Sequence, residues 1–407
     1  MKGTIKMINV AVLGFGTVGS GVCELLTMNA DIIEKNAGEK INLKYICDIR
    51  DFPGSPFEDK MVKDFEVILN DPDVNVIVET IGGRGLALKF TQQALEKGKS
   101  VVTSNKEIVS YHGVELMQMA RKNGARYLFE ASTGGAIPAL TPIAQCLAAN
   151  NIDRIAGILN GTTNYILTNM FVHGKSYDRA LGEAQEKGYA EKDPTADVEG
   201  FDTCRKICIL GAIMSGKLTD PEKVSTIGIS KITKKDVQAA ESFGCKIKLL
   251  GVAVQQENGL FVEVAPYCIT DNVPLYGIED VFNGIMADTD AAGTVMFYGR
   301  GAGKLPTASA VVSDIIDIAA RKNAKSPFEV WENSDNVAKD MRAIAYLMRV
   351  GGDVEEFKKK YDTDAMVTED SVLSFVTGKM TAEEYSTFVS RLEGDGYSVI
   401  SSYKIFE

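Results

Sequence analysis

Residues 8–19 read Ile8-Asn9-Val10-Ala11-Val12-Leu13-Gly14-Phe15-Gly16-Thr17-Val18-Gly19, an apolar run passing without a spacer into a Gly-x-Gly-x-x-Gly loop. The apolar residues predict a buried strand, and the helical spacing that follows predicts a helix from residue 17. Between two such elements the glycines serve a tight turn, a close approach of backbone to a pyrophosphate, and close helix–strand packing, while the helix start offers amides to the anion. Such a loop can also be a plain turn, but its place directly after a first strand favours a dinucleotide site. Gly14, Phe15, Gly16, Thr17, Val18 and Gly19 are the candidate contacts.

Working outward, strands are expected at 8–13, 43–47, 76–78, 101–103 and 127–129, with helices at 17–35, 86–97 and 107–123. This alternation predicts an α/β unit over 1–136, a Rossmann-type doubly wound parallel sheet. Asp48, at the end of the second strand, stands where an acid bonds a ribose hydroxyl, whereas Arg50 could meet a 2′-phosphate, so NAD and NADP both stay open. Ligands bind beyond the carboxyl ends of such strands, which singles out Thr80 in Glu79-Thr80-Ile81-Gly82-Gly83, and Ser104 and Lys106 in Ser104-Asn105-Lys106.

From 137 to 330 the character shifts to an α+β domain. Helices are expected at 137–149, 163–187 and 201–216, strands at 152–159, 249–254, 260–267 and 295–298, and a helix at 307–323 before a connector near Pro327. Residues 307–325 are expected to pack back on the first domain. Within this region Gly188–Lys206 crowds Glu191, Asp193, Asp197, Glu199 and Asp202 ahead of Lys206. A helix begun near Gly200 sets Asp202 and Lys206 on one face, where the carboxylate orients the ammonium. Taken alone, that loop also reads as a solvated acidic helix start. Asn160-Gly161-Thr162-Thr163-Asn164 offers amides and hydroxyls for a small carboxylate or a nicotinamide amide, or a simple helix cap. A second glycine loop, Gly299-Arg300-Gly301-Ala302-Gly303-Lys304, precedes the 307–323 helix. Residues 341–407 have a strand–helix–strand–strand–helix–strand rhythm.

Composition narrows the class. The 407 residues need two or three cores, and 45% hydrophobic with 24% charged residues describes a globular chain. A formal charge of −11 and no basic stripe exclude a nucleic-acid surface, and no apolar run is long enough for a membrane helix. Seven cysteines without a Cys-x-x-Cys pair or zinc spacing point to a reducing cytoplasm and no structural metal. Two histidines in unremarkable contexts turn the search for acid–base groups to lysines and carboxylates.

Taken together, the motifs resemble homoserine dehydrogenase. Ala184, Gly188, Asp193-Pro194, Asp197, Gly200, Asp202 and Lys206 meet the family's long pattern, and the GFGTVG, ETIGG, SNK, LNGTTNYIL and GAG…PTASAVVSD segments follow in its order, over roughly residues 8–325. The resemblance implies an enzyme interconverting aspartate 4-semialdehyde and homoserine with NAD or NADP, on the route to threonine and methionine. It implies Lys206 as proton donor, with Lys106 shared between cofactor and substrate. Glu191 and Asp202 would hold the substrate amino group, with Asp197, Gly161, Thr162 and Tyr189 around it, and Gly188 with Gly301 or Gly303 would approach the nicotinamide. Two neighbouring lysines depress each other's pKa while carboxylates oppose this, so the sequence leaves open which is the acid.

The resemblance also implies a monovalent cation, Na+ or K+, on backbone carbonyls of Glu130, Thr133, Gly135 and Ile137, and a homodimer or homotetramer, with 137–330 as the substrate and dimerisation domain. The terminal rhythm resembles the βαββαβ regulatory domain of the ACT kind, but MRVGGDVEEFKKKYD lacks the Asp-x-Pro-Gly turn through which such domains bind an amino acid. A role in assembly rather than threonine feedback is therefore expected. With the glycine fingerprint inside the first twenty residues, a monofunctional enzyme is expected rather than one joined to a kinase. The rival readings are a catalytically silent nucleotide sensor and a dehydrogenase of another semialdehyde. A silent relative is expected to lack Lys206, Asp202 or Lys106, and another semialdehyde does not account for the 184–206 pattern.

Overall fold

The computed structural model describes residues 7–321, 331–334, 336–361 and 371–407, and the backbone of 366–369. Six strands, β1 (Met7–Leu13), β2 (Lys40–Cys47), β3 (Met61–Val62), β4 (Val74–Glu79), β5 (Ser100–Thr103) and β6 (Tyr127–Leu128), form a parallel sheet ordered 3-2-1-4-5-6. The strands are apolar almost throughout because helices cover both faces. These helices are α1 (Thr17–Met28), α2 (Ala30–Ala37), α3 (Phe65–Leu69), α4 (Gly85–Glu96) and α5 (Lys106–Lys122). This is the doubly wound Rossmann arrangement, whose ligand crevice opens where the order reverses, between β1 and β4. The single helix expected over 17–35 is two, because Asn29 (φ −112°, ψ 25°) closes one and opens the next. The short β3 and α3 have too few residues to display a period.

The chain continues through α6 (Ala131–Gly134), α7 (Leu140–Cys146), β7 (Ile152–Ile158), α8 (Gly161–His173), α9 (Tyr177–Glu186), α10 (Thr195–Val198), α11 (Phe201–Ser215), β8 (Lys217–Leu218), β9 (Ser225–Thr226) and α12 (Lys234–Ser242). Then come β10 (Lys246–Gln256), β11 (Gly259–Ile269), β12 (Phe282–Thr289), β13 (Gly293–Arg300), α13 (Lys304–Ala320) and β14 (Glu332–Asn333). The helix expected at 137–149 shrinks to α7. Its start is set by the Glu130 carboxylate, which accepts from the amides of Ala139, Leu140 and Thr141 at 2.7–2.8 Å. Helix α13 lies against α1, where Gly21 meets the Lys304 backbone, and is fastened by Lys304–Glu24 and Arg126–Asp317, both 2.5 Å. It begins three residues before the expected 307, and 322–323 and the Pro327 connector lie outside the described residues.

The last segment supplies β15 (Tyr346–Gly351), α14 (Val354–Lys360), β16 (Met366–Glu369), β17 (Val372–Val376), α15 (Ala382–Gly394) and β18 (Ser398–Phe406). Its strands share one sheet with the middle segment, ordered 13-12-7-10-11-18-15-17-16, with β9 also on β11. The join is the parallel pairing of Tyr267–Ile269 with Lys404–Phe406. Buried charge reinforces it: Arg349 meets Asp236 at 2.8 Å, Ser401 donates to the same carboxylate, and Lys404 donates to Glu263.

Candidate active site

Helix α11 begins where expected. Gly200 takes φ +84°, the left-handed region open to glycine, and the chain turns from the acidic loop into the helix. One turn on, Asp202 and Lys206 meet at 2.7 Å, buried. Lys206 Nζ also donates to the carbonyl of Leu159 at 2.8 Å. From the other sheet, Lys106, the first residue of α5, reaches the second oxygen of Asp202 at 2.7 Å. Asn160, whose side chain caps α8, donates to both Asp202 (2.9 Å) and Asp197 (2.7 Å). One buried carboxylate thus joins two lysines, from two domains, and an amide.

The electrostatics separate the lysines. Burial pulls Lys206 below the ordinary lysine range, helped by Lys106 and opposed by Asp202. Lys106, more open to solvent, is held above that range by Asp202. Burial alone would raise Asp202, but the two ammonium groups outweigh it and keep the carboxyl well below its usual range. Asp197 moves up, through burial and then the charge of Asp202. The site therefore holds one lysine of lowered proton affinity, one lysine held charged and one carboxylate held as an anion.

Around this centre, Thr162 donates to the carbonyl of Tyr189 at 2.6 Å, joining α8 to the loop after α9. Tyr189 is exposed and packs edge-on against Tyr165. Gly188 ends α9 with φ +72°, and Gly161 packs against the carbonyl of Val281. The structure does not bring Glu191 into the cluster: it is exposed, and among the described residues only its carbonyl is held, by Gln185.

At the cofactor end, Gly14 takes φ +89° beneath the Thr80 carbonyl, and a Cβ on Gly19 would lie 1.9 Å from the oxygen of Gly14. Those glycines serve the protein's own packing. Gly16 differs, since a Cβ there would meet nothing within 4 Å, and α1 starts with no acidic residue and no side-chain cap. The first-turn amides of Thr17 and Val18, uncapped by any side chain among the described residues, with open space over Gly16, fit a pyrophosphate. Thr80 is turned inward, its hydroxyl donating to the carbonyls of Leu13 and Gly14, and Ser104 lies half-buried one residue before the cap of α5. Asp48 is engaged by the protein: it accepts from the amide of Phe15 at 2.7 Å and grips the Arg50 guanidinium. Arg50 chiefly, with the amides of Arg50 and Phe15, holds this carboxyl well below the usual range against its burial. The two residues read as alternatives in the sequence form one unit.

The Glu130 side chain is consumed in capping α7. Ile137 donates to Gly134, and the buried hydroxyls of Ser132 and Thr133 have no partner among the described residues. A Cβ on Gly135 would strike the Gly301 carbonyl at 2.3 Å, so the 130–137 and 299–303 loops lie in contact. Gly303, at φ +128°, turns the chain into α13. No cluster of three or more His, Cys, Asp or Glu able to hold a metal occurs among the described residues. Sequence reading missed Asn160 as the bridge between the two aspartates, and Asn283 on β12, whose buried carboxamide lies between Gly161 and Gly301 with its oxygen unpartnered among the described residues. An amide on an unrecognised strand gave no signal in the sequence.

Comparison with known proteins agrees with this geometry. Residues 14–130 match the family model for the homoserine dehydrogenase NAD binding domain, and 138–316 match that for homoserine dehydrogenase. The homoserine dehydrogenase of Neisseria gonorrhoeae is 40% identical over 333 residues, 80% of this chain and 75% of that protein. That of Pseudomonas aeruginosa is 41% identical over 319 residues, 77% and 73% of the two. The crystal structure of a homoserine dehydrogenase from Thiobacillus denitrificans superposes with a TM-score of 0.89 at 32% identity, covering 99% of both chains. A hyperthermophilic archaeal homoserine dehydrogenase in complex with NADPH gives 0.67 at 27% identity, over 79% of this chain and 99% of that one. With a Rossmann sheet, a lysine–aspartate–lysine centre and these relatives, the chain belongs to the homoserine dehydrogenase family of NAD(P)-dependent oxidoreductases.

Proposed function

We propose that this chain interconverts L-homoserine and L-aspartate 4-semialdehyde with Lys206 as the proton-transferring group and Lys106 as a fixed positive charge beside the reacting oxygen. The observation that carries this reading is the buried Lys206–Asp202–Lys106 unit, in which both lysines hold one carboxylate but burial lowers the proton affinity of Lys206 while Asp202 raises that of Lys106. The bound nicotinamide supplies or takes the hydride. Charged Lys206 has three N–H groups, two of them given to Asp202 and Leu159, and the third, without a partner among the described residues, is available to the substrate oxygen. As the aldehyde carbon is reduced, Lys206 protonates the oxygen that becomes the homoserine hydroxyl, and in oxidation neutral Lys206 takes that proton back. Lys106, which stays charged, stabilises the alkoxide in both directions. Asp197 and Asp202 receive the substrate ammonium, Gly161, Thr162 and Tyr189 line its backbone, and Gly188, Gly301 and Gly303 face the nicotinamide, while Glu191 stands outside the cluster.

The preferred cofactor in this reading is NADP. Asp48 is spent on Phe15 and Arg50, which leaves the exposed guanidinium of Arg50 as the group facing the adenosine ribose. A monovalent cation, Na+ or K+, would sit on the carbonyls of Glu130, Thr133, Gly135 and Ile137, where the buried hydroxyls of Ser132 and Thr133 lack partners among the described residues. The βαββαβ order of the last segment supports an ACT-like module, acting in assembly because the Asp-x-Pro-Gly turn is missing. Pairing through the middle segment into a homodimer or homotetramer fits the resemblance, and seven unbridged cysteines fit a reducing cytoplasm.

Nicotinamide absorbance with homoserine at alkaline pH, with NADP and then NAD, tests the activity and the cofactor preference together. Lys206→Ala is expected to abolish turnover while leaving cofactor affinity nearly unchanged. Near-normal turnover in that variant would remove Lys206 from its role, and no reduction by folded, cofactor-bound wild type would favour a sensor or another semialdehyde.

A further inference from the structure

We infer that Glu79 is a positioning residue for this reaction: it closes a ring of hydrogen bonds across the two cofactor-side loops and thereby fixes Lys106 against Asp202. The inference rests on the role given above to Lys106. Glu79 is the last residue of β4 and is fully buried, paired in register with Leu13 of β1 on one side and Thr103 of β5 on the other. It therefore stands at the reversal point of the sheet, where the crevice opens. An unengaged carboxylate there would repel a pyrophosphate, and its burial needs compensation by hydrogen bonds.

Among the described residues the compensation comes from the two loops and from Thr103 at the end of β5, and burial still holds the carboxyl above its usual range. One oxygen accepts from the amides of Ile81 (2.8 Å) and Gly82 (3.3 Å), and the other accepts from the hydroxyl of Thr103 (2.6 Å). The Thr103 oxygen in turn accepts from the amide of Asn105 at 2.9 Å. Asn105 then donates through its side chain to the carbonyl of Gly83 at 2.7 Å, and the ring is closed back onto the loop that Glu79 holds. The other end of the same carboxamide accepts from the amide of Glu107 and so caps α5, whose first residue is Lys106. Gly82 and Gly83, both at positive φ, let the first loop fold back over Glu79. Every polar atom in the ring is used once or twice, so a change at Glu79 is felt at the root of Lys106. Glu79 itself offers no free oxygen to substrate or cofactor and is not a catalytic residue.

Three variants test this. Thr103→Val deletes the hydroxyl that links the loops, Thr103→Ser restores it, and Glu79→Gln keeps the acceptor for Ile81 and Gly82 while changing the group that faces Thr103. Steady-state rates of homoserine oxidation, cofactor affinity by fluorescence titration and thermal midpoints are read for each. Thr103→Val and Glu79→Gln are expected to lower kcat at least tenfold at saturating substrates, and Thr103→Ser to recover most of it. They are also expected to move the alkaline limb of activity to lower pH. Lys106 faces Asp202, Asp197, Lys206 and Arg205, and loosening it from Asp202 removes the main influence that keeps it charged. A lowered thermal midpoint with kcat and the pH limb unchanged overturns the inference, as does weakened cofactor binding alone. If Glu79→Gln fails to fold, the Val and Ser pair at 103 decides. Lys106→Met in parallel separates the two readings: near-normal turnover there refutes the role of Lys106, whereas an inactive Lys106→Met beside a normal Thr103→Val refutes only the positioning by Glu79.

Discussion

Replacing Asp202 with Asn tests the centre of the site most directly. Asparagine keeps the shape of the side chain but removes the charge that both Lys206 and Lys106 face at 2.7 Å. Hydrogen bonds to charged groups contribute roughly 1.5–3 kcal/mol. At about 1.4 kcal/mol per factor of ten, loss of the Lys206 tether alone should cost roughly 10- to 150-fold in kcat/KM. The pH profile should also move. Burial already depresses Lys206, and Asp202 is the main group opposing it, so Asp202→Asn lowers its proton affinity further. In homoserine oxidation Lys206 must be neutral, so the acid limb shifts to lower pH; in aldehyde reduction it must be protonated, so the alkaline limb shifts the same way. Initial rates by nicotinamide absorbance in both directions across pH give both quantities. A kcat/KM within twofold of wild type, or limbs that stay in place or move upward, would refute the reasoning.

The glycine loop makes a paired prediction: Gly16→Ala, with open space above it, should leave stability within about 0.5 kcal/mol yet weaken cofactor binding at least tenfold, while Gly19→Ala should lose roughly 1–3 kcal/mol or more through overpacking. Urea unfolding and cofactor titration separate these, and identical behaviour of the two variants would contradict the assignment. Arg349→Met breaks the buried pair with Asp236, and about 3 kcal/mol should disappear from the unfolding free energy, with a loss below 1 kcal/mol counting against a structural joint there. Lys248, buried against Asn164, the Ile278 carbonyl and Glu279, is pulled down to about 8, chiefly by burial. Below that pH the native state carries the full cost of the charge. Between there and the value of a free lysine the unfolded chain holds the proton that the native chain has shed, so stability rises with pH. Relative to Lys248→Met, the wild type should gain about 3 kcal/mol across that interval, and a constant gap between the two would exclude the effect.

What the sequence by itself determined are the features whose physics is local. The strand–glycine–helix start depends on neighbouring residues, since turn geometry and helix amides are properties of consecutive backbone. The Asp202–Lys206 contact follows from the helical repeat once Gly200 is seen to start α11. The alternation of strands and helices over the first domain was legible because most of its elements, unlike β3 and α3, are long enough to show a period. Strand β12 was not, because buried Asn283 and Gly284 and a nearly continuous buried face give it no alternation.

Only the tertiary structure decided where the charges go. Lys106 and Asp202 lie far apart in the chain, on helices α5 and α11, and nothing in either neighbourhood names the other. Asp48 is set where a ribose contact is expected, but packing brings the Phe15 amide and Arg50 to it first. Glu130 lies in a loop read for its carbonyls, yet its carboxylate caps α7. The last segment reads as a separate module, but β18 completes the edge of β11 and Arg349 finds Asp236. In each case a buried polar group must find a partner, and the fold, by bringing distant segments within a few ångströms, selects which one.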